Sequence, residues 1–377
     1  MRHGMAIAAA VSTMLLSTAA AAAGGGDARI LIGQSAALSG PSAELGTELR
    51  AGALAYFEHV NKRGGINGRR IVLETLDDAY EPEKAAANYR RLIEERDAFA
   101  LFGCIGASTC AASLPIISAA KVPFVAPANG NEVLRTPFNR YMFNVRASFA
   151  NEAGHIVDHL TTVGLTRIAV VHPNHAPGRA ALASTEAALK SRNLAVAAAG
   201  TYPNEFTADV EAGVDSIAKA QPQAVIIFGP YKVAAKVIAA MKARGQSPQF
   251  MTLSVVGPGS LAAELGEDGR GVGITQVVPF PWVSTSPLVA EYSQIYVKEA
   301  KGTPSFTSLE GFIGAKVLVE GLRRAGTQLT REKFISAMES MQNFDAGGFV
   351  VSYSPTSHGG SRYVDLTVIG GDRKILR

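Results

Sequence analysis

The chain has 377 residues, of which 47% are hydrophobic, and its 36 basic and 32 acidic side chains give a formal net charge of +4. The hydrophobic share excludes an intrinsically disordered protein. The small, scattered charge gives no footprint for nucleic acid, and the length suffices for two domains of about 100–200 residues each.

The first residues have the pattern of a secretory signal peptide. Arg2 and His3 precede an apolar run at residues 5–16, and an alanine-rich stretch follows as far as residue 23. A short basic region, an apolar core too short to span a bilayer and an Ala-x-Ala site are typical of a cleaved signal. We therefore expect residues 1–23 to be removed, which leaves a mature chain in the periplasm without a membrane anchor.

From residue 29 the chain alternates between short β-branched runs and longer segments of helical periodicity. The predicted strands lie at residues 29–36, 70–76, 99–103 and 123–126, and the predicted helices at 44–62, 82–95 and 109–119. Repeated strand–helix–strand units with connections this short predict a parallel sheet that is covered by helices on both faces.

The same alternation restarts after Arg146. It predicts strands at 167–172, 194–200, 224–229, 250–254 and 272–278, and helices at 149–163, 179–192, 209–220 and 232–244. Beyond residue 281, predicted helices at 288–300, 308–325 and 331–341 precede strands at 348–353 and 363–369. Because the helical block cannot form its own sheet, we expect it to pack on an existing lobe. The predicted fold class is α/β, with two doubly wound lobes that are discontinuous in sequence.

Three loops that follow predicted strands are rich in small and polar residues: 39–42, 106–109 and 127–130. In open α/β sheets, ligands bind outside the carboxyl ends of the strands, and pockets favour domain interfaces. Hydroxyls and free helix N–H groups in these loops could hold an anion or a carbonyl. In the first loop, 39–42, a helix cap is the favoured alternative to a ligand contact. All three loops are predicted at one edge of the first sheet, which favours a shared ligand site.

Cys104 and Cys110 lie beyond the predicted signal peptide, in a compartment where disulfides persist. They bracket the second of these loops. Two interpretations fit the sequence, a small disulfide-bridged loop or two separate buried thiols.

The sequence lacks the motifs of catalysis and metal binding. The sequence has no Gly-x-Ser-x-Gly, His-Glu-x-x-His or P-loop motif. No group of residues in it is recognisable as a nucleophile with its base and orienting group. His155 and His159 have the i, i+4 spacing that places two ligands on one helix face, but no third ligand accompanies them. We therefore predict no enzyme activity, no cofactor and no metal site.

Six short segments carry a resemblance to a known family. They are 37–41 (ALSGP), 61–68 (NKRGGING), 77–79 (DDA), 143–148 (FNVRAS), 167–171 (RIAVV) and 249–251 (QFM). In this order and spacing they are similar to the type I periplasmic binding proteins, specifically the branched-chain amino-acid-binding (leucine/isoleucine/valine-binding) family of ABC importer components.

The resemblance implies two lobes around a ligand cleft. The first would comprise residues 28–146 with 280–346, and the second residues 147–279 with 347–377. Three chain crossings would join them as a hinge, near residues 145–147, 278–281 and 346–349. A small-molecule ligand would close the cleft, and the closed form, as a monomer, would dock on the membrane permease of an ABC importer. The alternative is a periplasmic sensor that feeds a membrane receptor.

The resemblance also implies where the ligand lies. Family members that bind amino acids hold the carboxylate with hydroxyl and N–H groups of the first lobe. The matching positions are Gly106, Ala107, Ser108, Ala128, Asn129 and Gly130. Ser39 lies in the neighbouring loop, and Leu45, Tyr231 and Phe306 would add apolar and aromatic walls.

Three matching positions depart from the family pattern. Ser254 stands where the family has the acidic side chain that pairs with the ligand ammonium, Pro177 replaces an aromatic residue and Gly130 replaces a hydroxyl. A buried ammonium without a counter-carboxylate carries an uncompensated desolvation cost of several kcal/mol. We therefore expect a carboxylate, an aromatic acid or an amide rather than an α-amino acid, unless Glu310 faces the cleft and supplies the missing charge.

Overall fold

The computed structural model describes residues 1, 29–40, 42–203, 209–284 and 286–377. The predicted signal peptide, apart from Met1, lies outside the described residues, and so does Pro41 in the first predicted loop.

The first part of the chain alternates strands and helices, as its hydrophobic periodicity predicts. Its elements in chain order are β1 (Arg29–Ala36), α1 (Ala43–Lys62), β2 (Arg70–Asp77), α2 (Pro82–Arg90), β3 (Ala100–Phe102), α3 (Ala107–Ala111), α4 (Leu114–Ala120), β4 (Phe124–Val125) and β5 (Met142–Phe143). Within the described residues these strands form a five-stranded parallel sheet in the order β2-β1-β3-β4-β5. This sheet is the framework of the first lobe.

The second part repeats the alternation. Its elements are α5 (Phe149–Thr162), β6 (Ile168–Pro173), α6 (Ala176–Lys190), β7 (Ala198–Tyr202), α7 (Glu211–Ala218), β8 (Ala224–Ile227), α8 (Tyr231–Ala243), β9 (Gln249–Thr252), α9 (Pro258–Leu265) and β10 (Gly273–Gln276). The chain continues through α10 (Pro287–Tyr292), α11 (Phe306–Ala325), α12 (Arg331–Glu339), β11 (Phe344–Asp345), β12 (Val350–Ser354), β13 (Ser357–Gly360), β14 (Asp365–Ile369) and β15 (Ile375–Leu376).

The second sheet has the order β15-β14-β10-β9-β8-β6-β7 in the part of the chain that is described. Its strands from β10 to β7 are parallel, whereas β14 and β15 join antiparallel at one edge. Strands that are buried along their whole length, such as β6 and β8, read as continuous apolar runs because helices cover both faces of the sheet.

The C-terminal helical block packs on the first lobe. A side chain at Gly52 of α1 would place its Cβ 1.8 Å from the carbonyl oxygen of Ser308, and one at Gly311 of α11 would lie 2.0 Å from that of Leu49. The two glycines therefore allow the backbones of α1 and α11 to approach closely. This contact brings the start of α11 beside the middle of α1.

The third crossing between the lobes differs from the expected one near residues 346–349. Phe349, Val351 and Tyr353 are buried in the same apolar cluster as Phe143 and Phe312 of the first lobe. The chain returns to the second sheet only at β14, which pairs with β10. We therefore place this crossing between Gly360 and Asp365. The sequence of β12 indicates that alternate side chains are buried. Such an alternation does not show which of the two lobes they pack against.

Candidate ligand-binding cleft

A cleft of about 740 Å³ lies between the two lobes. The first lobe contributes the start of α1 and the loops after β3 and β4, and the second lobe contributes the starts of α6 and α8 and the turn after β9. The loops after β3 and β4 lie side by side, because the Ala128 N–H donates to the Cys104 carbonyl at 3.1 Å. The carboxyl ends of strands from both sheets thus face one space, as open α/β sheets require.

Several predicted site residues come together here. Those that line the cleft are Leu45, Gly106, Ala107, Ala128, Asn129, Pro177 and Ser254. Cys104 and Cys110 form a disulfide across the loop that carries Gly106 and Ala107. Both cysteines are fully buried, so the bond anchors this part of the wall to the core of the first lobe.

Other predicted site residues lie elsewhere in the described structure. The Ser39 hydroxyl donates to Asp77 at 2.6 Å, which ties the first loop to the end of β2. Its neighbour in the loop, Ser42, lines the cleft instead. A side chain at Gly130 would collide with Phe149, whose ring lies 2.5 Å from the position of the added Cβ. Gly130 therefore lies behind Phe149, which itself faces the cleft.

The remaining three predicted residues lie just outside the cleft. Ser108 lies in α3, directly after Ala107, which lines the cleft. Tyr231 lies at the start of α8, directly after Pro230, which also lines the cleft. Phe306 lines a neighbouring groove.

The polar centre of the cleft is built around Arg146, which is 2% exposed. Its Nη2 donates to Glu152 Oε1 at 2.9 Å and to the Ser254 hydroxyl, and its Nη1 donates to Glu310 Oε1 at 3.2 Å. Glu152 also accepts from the Ser254 N–H at 2.9 Å and from the Thr275 hydroxyl at 2.6 Å. The cluster therefore places two carboxylates and one guanidinium at the junction of the lobes.

Glu310 does face the cleft, on α11 of the first lobe. Burial raises its pKa, and the adjacent Arg146 guanidinium opposes that shift. Sequence reasoning used Arg146 only as a lobe boundary, because its partners Ser254 and Glu310 are 108 and 164 residues away along the chain.

The apolar wall contains aromatic residues that sequence reasoning missed, namely Tyr80, Phe149, Tyr202 and Phe228. Tyr202 ends β7, Phe228 follows β8 and Tyr80 lies shortly after β2. The rule that ligands sit at the carboxyl ends of strands could have found these three. The Tyr202 hydroxyl donates to the Phe228 carbonyl at 2.8 Å, so the two residues hold each other in place.

Hydrogen bonds join the lobes on both sides of the cleft. Asn131 Nδ2 of the first lobe donates to the Pro177 carbonyl of the second at 2.8 Å. The Ser260 hydroxyl on α9 donates to Glu44 on α1. The lobes are therefore in direct contact around the lining residues.

Within residues 1, 29–40, 42–203, 209–284 and 286–377, no helix is both long and apolar enough to cross a membrane. The same ranges hold no group of three or more His, Cys, Asp or Glu residues arranged to bind a metal ion.

Comparison with known proteins identifies a family and relatives that this chain matches. A family model described as periplasmic binding protein matches residues 29–373. An amino acid binding protein of Pseudomonas aeruginosa is 27% identical over 63% of this chain, and the match spans 64% of that protein, slightly under two thirds. The Leu/Ile/Val-binding protein homolog 7 of Brucella abortus is 28% identical over 79% of this chain and 77% of that protein.

A solved structure of a related protein has the same fold. A possible leucine/isoleucine/valine-binding protein from Rhodopirellula baltica is 32% identical, with a TM-score of 0.87 over 93% of this chain and 97% of that one. The predicted resemblance and the predicted α/β fold class are both confirmed. From its matched length, its two large sheets and the cleft between them, the chain belongs to the periplasmic binding protein family.

Proposed function

We propose that this protein is the periplasmic solute-binding component of an ABC importer, which holds a small organic ligand between its lobes and closes around it. The observation that carries the proposal is the cleft lined by both lobes, with hydrogen bonds between the lobes beside it. A ligand that contacts both walls stabilises the closed form over the open one, and a permease can then recognise the closed form.

The ligand class that we propose is a carboxylate, an aromatic acid or an amide. Several helices begin at the cleft, among them α1, α6 and α8, since Ser42 precedes α1, Pro177 lies in the first turn of α6 and Pro230 precedes α8. Helix N-termini carry partial positive charge and free N–H groups, which favours an anion or a carbonyl oxygen. Aromatic side chains such as Phe149 and Phe228 supply a surface for the apolar body of the ligand.

An α-amino acid is the less favoured ligand because the carboxylates near the cleft already have partners. Glu152 is bonded to Arg146, Ser254 and Thr275, and Glu310 is bonded to Arg146. A ligand ammonium would have to compete with the Arg146 guanidinium for Glu310.

Thermal unfolding of the mature protein, from about residue 24, tests the proposal against a panel of amino acids, aliphatic and aromatic carboxylates, and amides. A ligand that binds only the native state raises the midpoint with its concentration relative to Kd. We expect shifts confined to carboxylates and amides. Shifts with leucine or valine would contradict the ligand class and make Glu310 the counter-charge. No shift with any compound would favour the sensor over the importer.

A further inference from the structure

A second concave region, a groove of about 1070 Å³, lies next to the cleft. We call it the aromatic groove, because Phe280, Trp282 and Phe306 line it and pack against one another. Their ring centroids are 4.9 Å apart for Phe280 and Trp282, 5.3 Å for Trp282 and Phe306, and 5.9 Å for Phe280 and Phe306. Trp282 is nevertheless 47% exposed. A large aromatic side chain that remains exposed within a concave aromatic cluster is typical of a binding surface.

The aromatic groove adjoins the cleft through a shared wall. Leu45, in the first turn of α1, and Thr307, in the first turn of α11, line both spaces. The groove also has contributions from both lobes, since the start of α9 and the turn between β14 and β15 line it as well. A molecule held between the lobes could therefore extend past Leu45 and Thr307 without leaving the space between the lobes.

The polar groups of the groove favour an uncharged aromatic end group over a second carboxylate. Glu48 lines it and accepts a hydrogen bond from the Ser305 hydroxyl at 2.8 Å, and Glu44 lines it beside Ser260. These carboxylates would repel an anion placed against the rings. Arg373 and Lys374 also line the groove, and Lys374 is paired with Asp372 at 2.7 Å.

We propose that the cleft and the aromatic groove form one extended binding site, whose ligand places a carboxylate or amide head in the cleft and an aromatic end group against Trp282. This inference rests on the proposed function and narrows its ligand class to elongated molecules with one polar end. Leu45 and Thr307 then set the minimum length of a ligand that gains from the groove.

The test uses phenylacetate, phenylbutyrate and phenylhexanoate as probes of increasing length, with affinities from calorimetry on the mature protein. Affinity is expected to rise steeply once the ring can pass Leu45 and Thr307. Trp282 is the single tryptophan of the chain, so the longer acids should also change its fluorescence. The substitution Trp282→Ala should weaken phenylhexanoate binding by roughly tenfold, the upper value for one aromatic pair, and leave phenylacetate binding unchanged.

Val283→Ala is the matched control, because Val283 is the next residue and is 54% exposed. It should leave all three affinities unchanged, and Trp282→Phe should restore part of the loss by replacing the ring. Equal affinity across the series, or an equal loss for short and long acids in Trp282→Ala, would overturn the extended site alone. Failure of all three acids to bind would contradict both the carboxylate class and the extended site.

Discussion

Glu310 lies at the wall of the cleft with its carboxylate beside the Arg146 guanidinium, and its side chain is 14% exposed. Burial and the nearby charge of Glu152 raise its pKa, and Arg146 lowers it. Burial penalises the charged form and raises the pKa, and this effect outweighs the lowering by Arg146. The folded protein therefore holds a proton on Glu310 more tightly than the unfolded chain does.

This shift has a defined consequence for stability. A folded pKa above the ordinary value of 4.5 gives a contribution that is present below that pH and is lost as pH rises through the folded pKa. Glu310→Gln resembles the protonated carboxyl at every pH. We therefore expect the unfolding free energy of the native protein to fall relative to that of Glu310→Gln as pH rises above 4.5, measured by urea denaturation. A divergence of the opposite sign would show that Arg146 outweighs burial.

At the scale of single elements, short connections between strands and helices form the cleft wall. The loop between β3 and α3 is an example, because the Ala128 N–H bonds to the Cys104 carbonyl while the disulfide ties Cys104 to Cys110 in α3. Gly106 and Ala107 are thereby held at the cleft. The position of this loop in the cleft wall therefore depends on the disulfide as well as on packing.

Removing the disulfide should lower both stability and affinity. Its two cysteines are separated by 6 residues, and closure of so short a loop stabilises a protein by about 2 kcal/mol in the chain-entropy model. We expect Cys104→Ala/Cys110→Ala to lose about this amount in urea unfolding and to bind any ligand from the panel more weakly. Reduction of the native protein with dithiothreitol is the control and should give the same losses. Unchanged affinity would show that packing alone positions the loop.

At the scale of the whole molecule, Arg146 connects the lobes. It lies in the first crossing and is bonded to Glu310 of the first lobe and to Glu152 and Ser254 of the second. Glu152 is fully buried. The charges of the cluster are tolerable in the interior only because each has a partner of opposite sign.

Loss of the guanidinium should therefore be strongly destabilising. Arg146→Met would leave Glu152 buried without its cation, a change that costs about 3–5 kcal/mol in unfolding free energy. Arg324→Met is the matched control, since Arg324 pairs with Glu320 at the surface of α11, and it should cost far less. Similar losses in the two variants, compared by urea denaturation, would contradict this account of the cluster.

Local hydrophobic periodicity predicted much of the architecture. Strand β1 was predicted at residues 29–36, where it lies, and α1 begins one residue before its predicted start. Both have strong periodicity that depends only on neighbouring residues. In the candidate site, Gly106, Ala107 and Ala128 were predicted from their place after strands, and they line the cleft. Ser39 was predicted on the same ground, but it bonds to Asp77 instead.

The amino-acid sequence by itself determined the α/β alternation, the division into two lobes and the edge of the sheet where the cleft lies, because these depend on local periodicity and on the direction of parallel strands. Tertiary structure alone decided that Arg146 meets Glu310, that residues around Phe349 pack on the first lobe, and that Trp282 lies beside the cleft. Those contacts join segments that are far apart in the chain, and side chains of one type suit many partners until the fold brings one of them close.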